Sequence, residues 1–487
     1  MDSIWWKQLD FPAFPVLKSD LQTEIAVIGG GLAGILTAYD LHRSGAEVVV
    51  LEANRIGSGQ TSGTTAKLTA QHGLRYSRLR KEIASNIAGE YAQTQLSAVS
   101  RLRRLVQEQN IACDWEDCTT FLYTCGVPEP LQKEYEACRS LGMDVFLIRN
   151  TELPFAAEAL GLRNQARFHP LKLLLSLAAE LNIYEQTRVL KVSGHEIRTA
   201  NGTTVTAQKI IFTCHFPFIN FPGLFFARQH QERSYVLALE NAPRLNHCYL
   251  GIENYGLSLR SWGKYLLLGG SGHRTGENQT GNTYQRLEEA AKRFWPQSHI
   301  VSRWSAQDCI PMDGIPYIGP YSKSNPDWLV ATGFQKWGIS TSVVAAEILS
   351  RLALEQPLPP EYALYTPHRF HLAASVHQLA EDGAHSVLGL GKHFLEPGRI
   401  DLDSLPTGHG GIVKINGKKV GAYRDTDGTL YTVSVKCPHL GCQLEWNPDE
   451  KSWDCPCHGS RFDFHGNLLD GPAQRSYPHA AAPHGGI

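Results

Sequence analysis

Three consecutive glycines, Gly29-Gly30-Gly31, stand directly behind the short apolar run Ile25-Ala26-Val27-Ile28 and ahead of Leu32-Ala33-Gly34. Ile35, Leu36, Tyr39 and Leu41 then recur at roughly helical spacing, and Gly45 suits a helix stop. Glu47-Val48-Val49-Val50-Leu51 reads as a second strand ending on Glu52. Strand, glycine turn, helix, strand and closing acid is an order that suits a dinucleotide. Gly29 permits the tight turn, Gly31 lets the backbone approach a pyrophosphate, and Gly34 lets helix and strand pack closely. The helix N-terminus offers free N–H groups and a positive dipole end to the phosphates. Glu52 stands close to the ~20-residue distance at which an acid accepts from a ribose hydroxyl. A lone GxGxxG is weak evidence; the same motif in this context is strong.

The chain has 487 residues, enough for two or three domains. Its formal net charge of −1 leaves no footprint for nucleic acid or acidic lipid. The opening MDSIWWKQLD has no basic segment followed by an apolar core, so no signal peptide is expected. No run approaches ~18 apolar residues, so no transmembrane segment is expected, and a cytoplasmic enzyme is the default. Residues 1–24 read as an arm on the first domain. Gly269-Gly270-Ser271-Gly272 has no helical pattern behind it and reads as a strand-end turn. Without a second glycine fingerprint, an NAD(P)H-dependent reductase is disfavoured.

Behind Glu52 comes Ala53, then a loop of small residues, Gly57-Ser58-Gly59-Gln60-Thr61-Ser62, dense in hydroxyls and backbone donors. GGGLAG, the acid–alanine pair and this loop together resemble the D-amino-acid oxidase and glycine oxidase family of FAD enzymes. The resemblance implies an α/β fold: a Rossmann-type FAD domain in separated segments, interleaved with an antiparallel-sheet (α+β) substrate subdomain. The FAD segments are expected at about 22–75, 165–220 and 305–355, and the substrate subdomain at about 76–164 and 221–304, within 1–365. Residues 75–140 look helical and 225–300 look like antiparallel sheet.

The resemblance further implies that Gly29, Gly31, Gly34, Glu52, Ala53, Gly59, Thr61 and Ser62 bind FAD, with the Val189 backbone on the adenine side. The strand Lys209–Cys214 ends on Cys214-His215, where the family has Ala-Thr-Gly or Ala-Gly. Asp313-Gly314-Ile315-Pro316-Tyr317-Ile318-Gly319 resembles another family segment. Leu329 to Ile339 resembles the turn before the last helix of the FAD fold, expected through about Leu354. Gly333, Lys336, Trp337, Gly338 and Ile339 would then face the flavin, with a helix N-terminus stabilising negative charge at the pyrimidine edge. Arg260 falls roughly where amino-acid-oxidising members hold the substrate carboxylate. Arg260 and Trp337 are the candidate catalytic residues, and His215, Lys336 and Trp337 could sit near the ring. A neutral amine gives hydride directly, so no base is assigned. Cys309 reads as a buried cysteine rather than a covalent flavin link.

Gln356-Pro357-Leu358-Pro359-Pro360 breaks the helix. A connector at 366–395 and a small all-β domain at 396–487 follow, with a hairpin turning at Asn416-Gly417. Seven of the eleven cysteines are scattered without ligand spacing, but Cys437, Cys442, Cys455 and Cys457 lie within 21 residues. Cys437-Pro438-His439-Leu440-Gly441-Cys442 and Cys455-Pro456-Cys457-His458-Gly459-Ser460 supply two thiolates and two imidazoles. That set suits a [2Fe–2S] centre with mixed ligation, and zinc also accepts it. The pattern resembles a Rieske domain. The resemblance implies ligands Cys437, His439, Cys455 and His458. It also implies a Cys442–Cys457 disulfide, as in the respiratory type, unusual for a cytoplasmic protein. Ser460 matches a serine that hydrogen-bonds a cluster sulfide. Phe462 replaces a tyrosine donor, which implies a lower potential. Gly471-Pro472-Ala473 resembles the loop that covers the cluster, and the tail after it is short, so the family's closing strand is expected to be missing or replaced.

The expected protein is a flavin–iron–sulfur oxidoreductase. It takes a hydride from a small amine or amino-acid-like substrate onto FAD. Electrons pass singly through the cluster to an external one-electron acceptor. The partner, donor or acceptor, would be a protein or a quinone. The rivals are a reductase fed through the cluster and a non-catalytic relay.

Overall fold

The computed structural model describes residues 3–7, 9–369 and 401–477. Most of the expected connector, and the tail prolines Pro478 and Pro483, lie outside the described residues.

The strand Leu21–Ile28 runs parallel to Val48–Leu51 on one side and Thr204–Phe212 on the other. The sheet continues through Asn325–Thr332 and Tyr317–Ser322 at one edge and Asn182–Tyr184 at the other. Its strands are apolar on both faces because both faces are covered. Ile25, Val27, Val48, Val50 and Ile211 belong to one core with the helices Leu32–Arg43 and Gly338–Ala353. Ala26, Ile28, Val49, Leu51, Ile210 and Phe212 alternate into a second core on the opposite face.

A nine-stranded sheet lies beside it, with His299–Pro311, Gln229–Glu240, Tyr265–Arg274, Ser258–Trp262, Cys248–Gly251, Glu116–Thr124, Glu158–Arg167 and Lys67–Leu68 in spatial order and Val145–Ile148 also paired to Glu158–Arg167. It is antiparallel apart from the pairing of Cys248–Gly251 with Glu116–Thr124. Leu237, Leu239, Leu266 and Leu268 form a core with Leu287 and Ala291 of the helix Thr283–Phe294. Two expectations change here. The 75–140 stretch contains a strand, Glu116–Thr124, because CTTFLY suits a half-buried sheet better than a helix. Gly269–Gly272 lies inside the strand Tyr265–Arg274, not at its end. The pairing with Gln229–Glu240 carries through Gly270, whose φ of +155° sits beside a break in register.

The arm is held by its indoles. Trp5 is fully buried and donates from Nε1 to the Thr64 carbonyl at 2.8 Å. The C-terminal module pairs His409–Ile415, Lys418–Arg424 and Leu430–Ser434. A four-stranded ribbon, Glu445–Asn447, Ser452–Asp454, Arg461–Asp463 and Leu468–Asp470, completes it. Asn416 and Gly417 both have positive φ (49° and 77°), as a two-residue hairpin turn needs. Among the described residues no helix is long and apolar enough to cross a membrane.

Candidate active site and metal centre

The glycine turn is a backbone device. Gly29 has φ +112°, and a Cβ there would stand 2.7 Å from the Thr213 carbonyl oxygen. A Cβ on Gly34 would meet the Gly29 carbonyl oxygen at 1.9 Å. The helix Leu32–Arg43 has no acid in its first turn and no side-chain cap from Gly31. The Leu32 N–H donates to Thr61 Oγ1 at 3.0 Å. Glu52 accepts from the Gly30 and Asn54 N–H groups, both at 2.8 Å. Burial pushes the Glu52 pKa up, and those two bonds oppose it. Ser62 bonds the Ser58 and Gly59 carbonyls, so its hydroxyl shapes the loop. The Thr187 N–H donates to the Glu52 carbonyl at 2.8 Å, which brings the buried Val189 segment alongside the acid. Ala53 is half-buried next to it, and Gly59 starts the short helix Gln60–Gly63. A helix start with no cap from Gly31, behind glycines that admit no side chain and with the Thr61 hydroxyl at its first N–H, fits the pyrophosphate of FAD.

A second helix start, at Gly338, also lacks an acidic first turn and a side-chain cap. Gly333 (φ +76°) and Gln335 (φ +54°) turn the chain into it, and the Gln335 N–H donates to the Cys309 carbonyl at 2.9 Å. Ile339 is buried in the core beneath. Trp337 stacks on His72, with centroids 4.6 Å apart and planes at 10°. Burial pushes the His72 pKa down to about 3, so that ring is neutral.

Lys336 Nζ lies 3.3 Å from Glu232 Oε2 and 3.2 Å from Ser234 Oγ. Glu232 stands directly opposite Asp308 in the sheet. Burial opposes charge on Glu232, but His230 and Lys336 hold its pKa down at about 2. Burial raises Asp308 to about 7, against the charge of Lys336 and with that of Glu232. Spacing alone gave no sign of this acid–lysine cluster.

Arg260 does not take the role expected of it. Its side chain is fully buried, and Nη1 donates to the carbonyls of Thr65, Ala66 and Phe168 at 2.9, 2.5 and 3.2 Å. The Trp5 ring covers it at 5.5 Å, and burial pulls its pKa down to about 10. A guanidinium enclosed in this way ties the arm and the 64–66 loop to the sheet. It is closed to a substrate carboxylate.

His215 sits at positive φ (66°) just past the strand Thr204–Phe212. Its Nε2 lies 3.2 Å from Gln231 Oε1 and 3.3 Å from Cys309 Sγ, and burial pushes its pKa down. Burial pushes the Cys309 thiol well up.

The two C-terminal loops repeat one turn. The Cys437 N–H donates to the Cys442 carbonyl at 2.8 Å, and the Cys455 N–H to the Ser460 carbonyl at 2.8 Å. Gly441 and Gly459, both at positive φ, close back on Cys437 and Cys455 at 2.9 Å. Cys442 and Cys457 are joined by a disulfide. The sulfurs of Cys442, Cys455 and Cys457 lie within 4.8 Å of one another, but two of the three are bonded together and do not ligate. Cys437 and Cys455 remain as buried free thiols. The His439 and His458 rings face each other at 4.9 Å and 90°. His439 Nδ1 is buried without a hydrogen-bond partner, and burial pushes that ring's pKa down to about 4. A neutral imidazole with an orphaned nitrogen beside buried thiols fits a metal cluster. The Ser460 hydroxyl bonds the Cys437 sulfur and accepts from the Ala473 N–H at 3.0 Å. Phe462 is fully buried against Tyr477, 4.8 Å between centroids.

The module rests on the first two sheets with this edge inward. Gln231 Nε2 donates to the His458 carbonyl at 2.6 Å, and His439 Nε2 lies 2.8 Å from Asn220 Oδ1. Arg233 pairs with Glu450 at 3.0 and 2.5 Å. Burial opposes charge on Glu450, yet Arg233 and Arg461 bring its pKa down to about 2. The sequence does carry one overlooked signal, the polar run Gln229-His230-Gln231-Glu232-Arg233 that opens a largely buried strand.

Residues 24–352 match the family model described as FAD dependent oxidoreductase. The chain belongs to this family. Residues 400–481 match the Rieske [2Fe-2S] domain. The protein is therefore an oxidoreductase that binds FAD and a [2Fe–2S] cluster. The putative Rieske 2Fe-2S iron-sulfur protein YhfW of Bacillus subtilis (strain 168) is 37% identical over 491 residues, covering 97% of this chain and 96% of that one. Cytochrome b6-f complex iron-sulfur subunit 2 of Trichormus variabilis (strain ATCC 29413 / PCC 7937) is 49% identical over 51 residues, 10% of this chain and 29% of that one. L-proline dehydrogenase from P.horikoshii shares the fold of the FAD part, with TM-score 0.61 at 17% identity, over 72% of this chain and 98% of that one. Glycine oxidase from Geobacillus kaustophilus does so with TM-score 0.61 at 19% identity, over 72% and 99%.

Proposed function

We propose that this FAD dependent oxidoreductase oxidises a small amine or amino-acid-like substrate and delivers the electrons singly, through its Rieske cluster, to an external one-electron acceptor. The observation that carries this reading is the seam. The histidine edge of the metal centre faces the FAD domain, with Gln231 bonded to the His458 carbonyl at 2.6 Å. Bound FAD supplies two-electron hydride acceptance, and the bound cluster supplies one-electron exchange.

The chain's own residues do the rest. Gly29, Gly31 and Gly34 admit the pyrophosphate, and Glu52 accepts from the ribose. Ala53, Gly59, Thr61 and Ser62 shape the loop beside it, and the Val189 backbone borders the adenine side. Gly333 to Ile339 present a helix N-terminus to the ring, where it favours negative charge. Trp337 walls the ring end and is held flat by His72. Cys437, His439, Cys455 and His458 hold the cluster, and the Cys442–Cys457 bond ties their loops together. Lys336 pairs with Glu232, and Asp308 opposite that acid carries a pKa raised to about 7. The divisions at about 365 and 396, and a cytoplasmic setting, belong to the same reading.

The test is an anaerobic panel of amines, N-methyl compounds and D- and L-amino acids, with flavin absorbance and cluster EPR followed together. Flavin bleaching followed by the reduced Rieske signal is the expected result. If dithionite reduces both centres but no compound bleaches the flavin, amine oxidation is lost and a reductase or relay takes its place.

A further inference from the structure

Buried amides in the middle of a strand need partners. Gln231 is 2% exposed and Gln307 fully buried, and both find partners outside their own sheet. Gln231 Nε2 donates to the His458 carbonyl at 2.6 Å and to the Gly471 carbonyl at 3.3 Å. Gln307 Nε2 donates to the Gly459 carbonyl at 2.9 Å and to Gln231 Oε1 at 2.6 Å. The same Oε1 lies 3.2 Å from His215 Nε2. A single amide therefore bridges the cluster-binding loop and His215, just past a central strand of the FAD sheet.

The contact is tight as well as polar. A Cβ on Gly459 would stand 2.7 Å from the Gln231 side chain, and one on Gly276 would stand 2.7 Å from the Pro456 backbone. Phe226 meets both imidazoles edge-on, at 6.5 Å from His439 and 5.7 Å from His458. His458 is 6% exposed, while His439 keeps a half-buried flank beside the exposed Leu440.

From this geometry we propose that the Rieske module works docked, and that Gln231 is the positioning residue holding its His458 edge against the His215 side of the FAD site. This rests on the flavin-to-cluster reading above. Each turnover then sends two electrons across the seam in two successive single transfers, to an acceptor that takes them one at a time. Among the described residues His458 is closed to an external carrier, and the His439 flank faces outward. A mobile head carrying the cluster between partners would instead have to strip Gln231, Gln307 and Arg233 of these bonds at every turnover.

The experiment uses full-length holoprotein and Gln231→Leu. Hydrogen exchange of the 455–460 amides reports docking without any electron transfer. Light with EDTA as the sacrificial electron donor reduces the bound flavin without substrate, and cluster reduction by that flavin is followed by EPR at several glycerol concentrations. In Gln231→Leu the loop is expected to lose protection and cluster reduction to slow by about tenfold, with g-values and flavin content unchanged. The wild-type rate is expected to ignore viscosity. Unchanged protection, an unchanged rate, or a wild-type rate that falls in proportion to viscosity overturns the proposal. A wild-type cluster that stays oxidised beside reduced flavin sinks the parent reading too, and protected amides would show that docking was not the cause. If Gln231→Leu does not load its cofactors, Asn220→Leu at the His439 edge is read by the same two criteria.

Discussion

The proposed FAD site is built from backbone and the proposed cluster site from side chains. At the first, Gly29 and Gly34 leave no room for a Cβ, and the helix behind them has no side-chain cap from Gly31. At the second, two copies of one turn, closed by Gly441 and Gly459, present cysteines and histidines. A backbone site fails when atoms are added. A side-chain site fails when atoms are exchanged.

The sharpest break in this contrast comes from two substitutions compared in one assay of flavin and iron content. Gly34→Ala places a methyl 1.9 Å from a backbone oxygen that has nowhere to go, so flavin content should fall to near zero. Cys455→Ser removes a thiolate and should leave flavin bound with no Rieske EPR signal. Flavin retained in the first, or a normal signal in the second, would reverse the contrast.

The next effect is on stability. The Cys442–Cys457 bond spans 15 residues, and Cys442→Ser should cost the C-terminal module about 3 kcal/mol by loop entropy. Calorimetry should show the module's transition moving down while the flavin-release transition holds.

A smaller effect follows from Asp308. Burial raises its pKa from 3.8 to about 7. A carboxyl raised in the fold contributes stability that is full below 3.8 and is lost as pH rises through about 7. Melting temperature of wild type minus Asp308→Asn should therefore fall across that window. A flat difference would show that Asp308 is not held in a charge-averse place.

The smallest concerns Phe462, which replaces a possible donor to the cluster. Phe462→Tyr should raise the midpoint by on the order of 50 mV, the worth of one hydrogen bond of ~1 kcal/mol. Redox titration decides it, and an unchanged or lower midpoint counts against the idea.

Both cofactors were legible in the sequence because each motif is local. Six residues form the glycine turn, and two short boxes hold the cysteines and histidines. Arg260 was misread because its three carbonyl partners lie 92 to 195 positions away in the chain. Its neighbours Ser258 and Leu259 say nothing of that enclosure. The Glu232–Asp308 pairing depends on antiparallel register between distant strands. The strand Glu116–Thr124 sat in a region whose helical periodicity on both sides masked it. Gln231 was the most informative residue left unread, since its partner is 227 positions away.

The seam has a practical consequence for anyone who would cut the chain in two. Arg233 is 3% exposed at its side chain, and the carboxylate that neutralises it, Glu450, belongs to the other module. Arg461 in turn shares Glu450 at 3.1 Å. A separately expressed FAD fragment would carry a stranded cation and a strip of unsatisfied amides on its surface. A separately expressed Rieske fragment would carry the matching anion. Poor behaviour of either piece would report a torn interface and say little about the chemistry each contains.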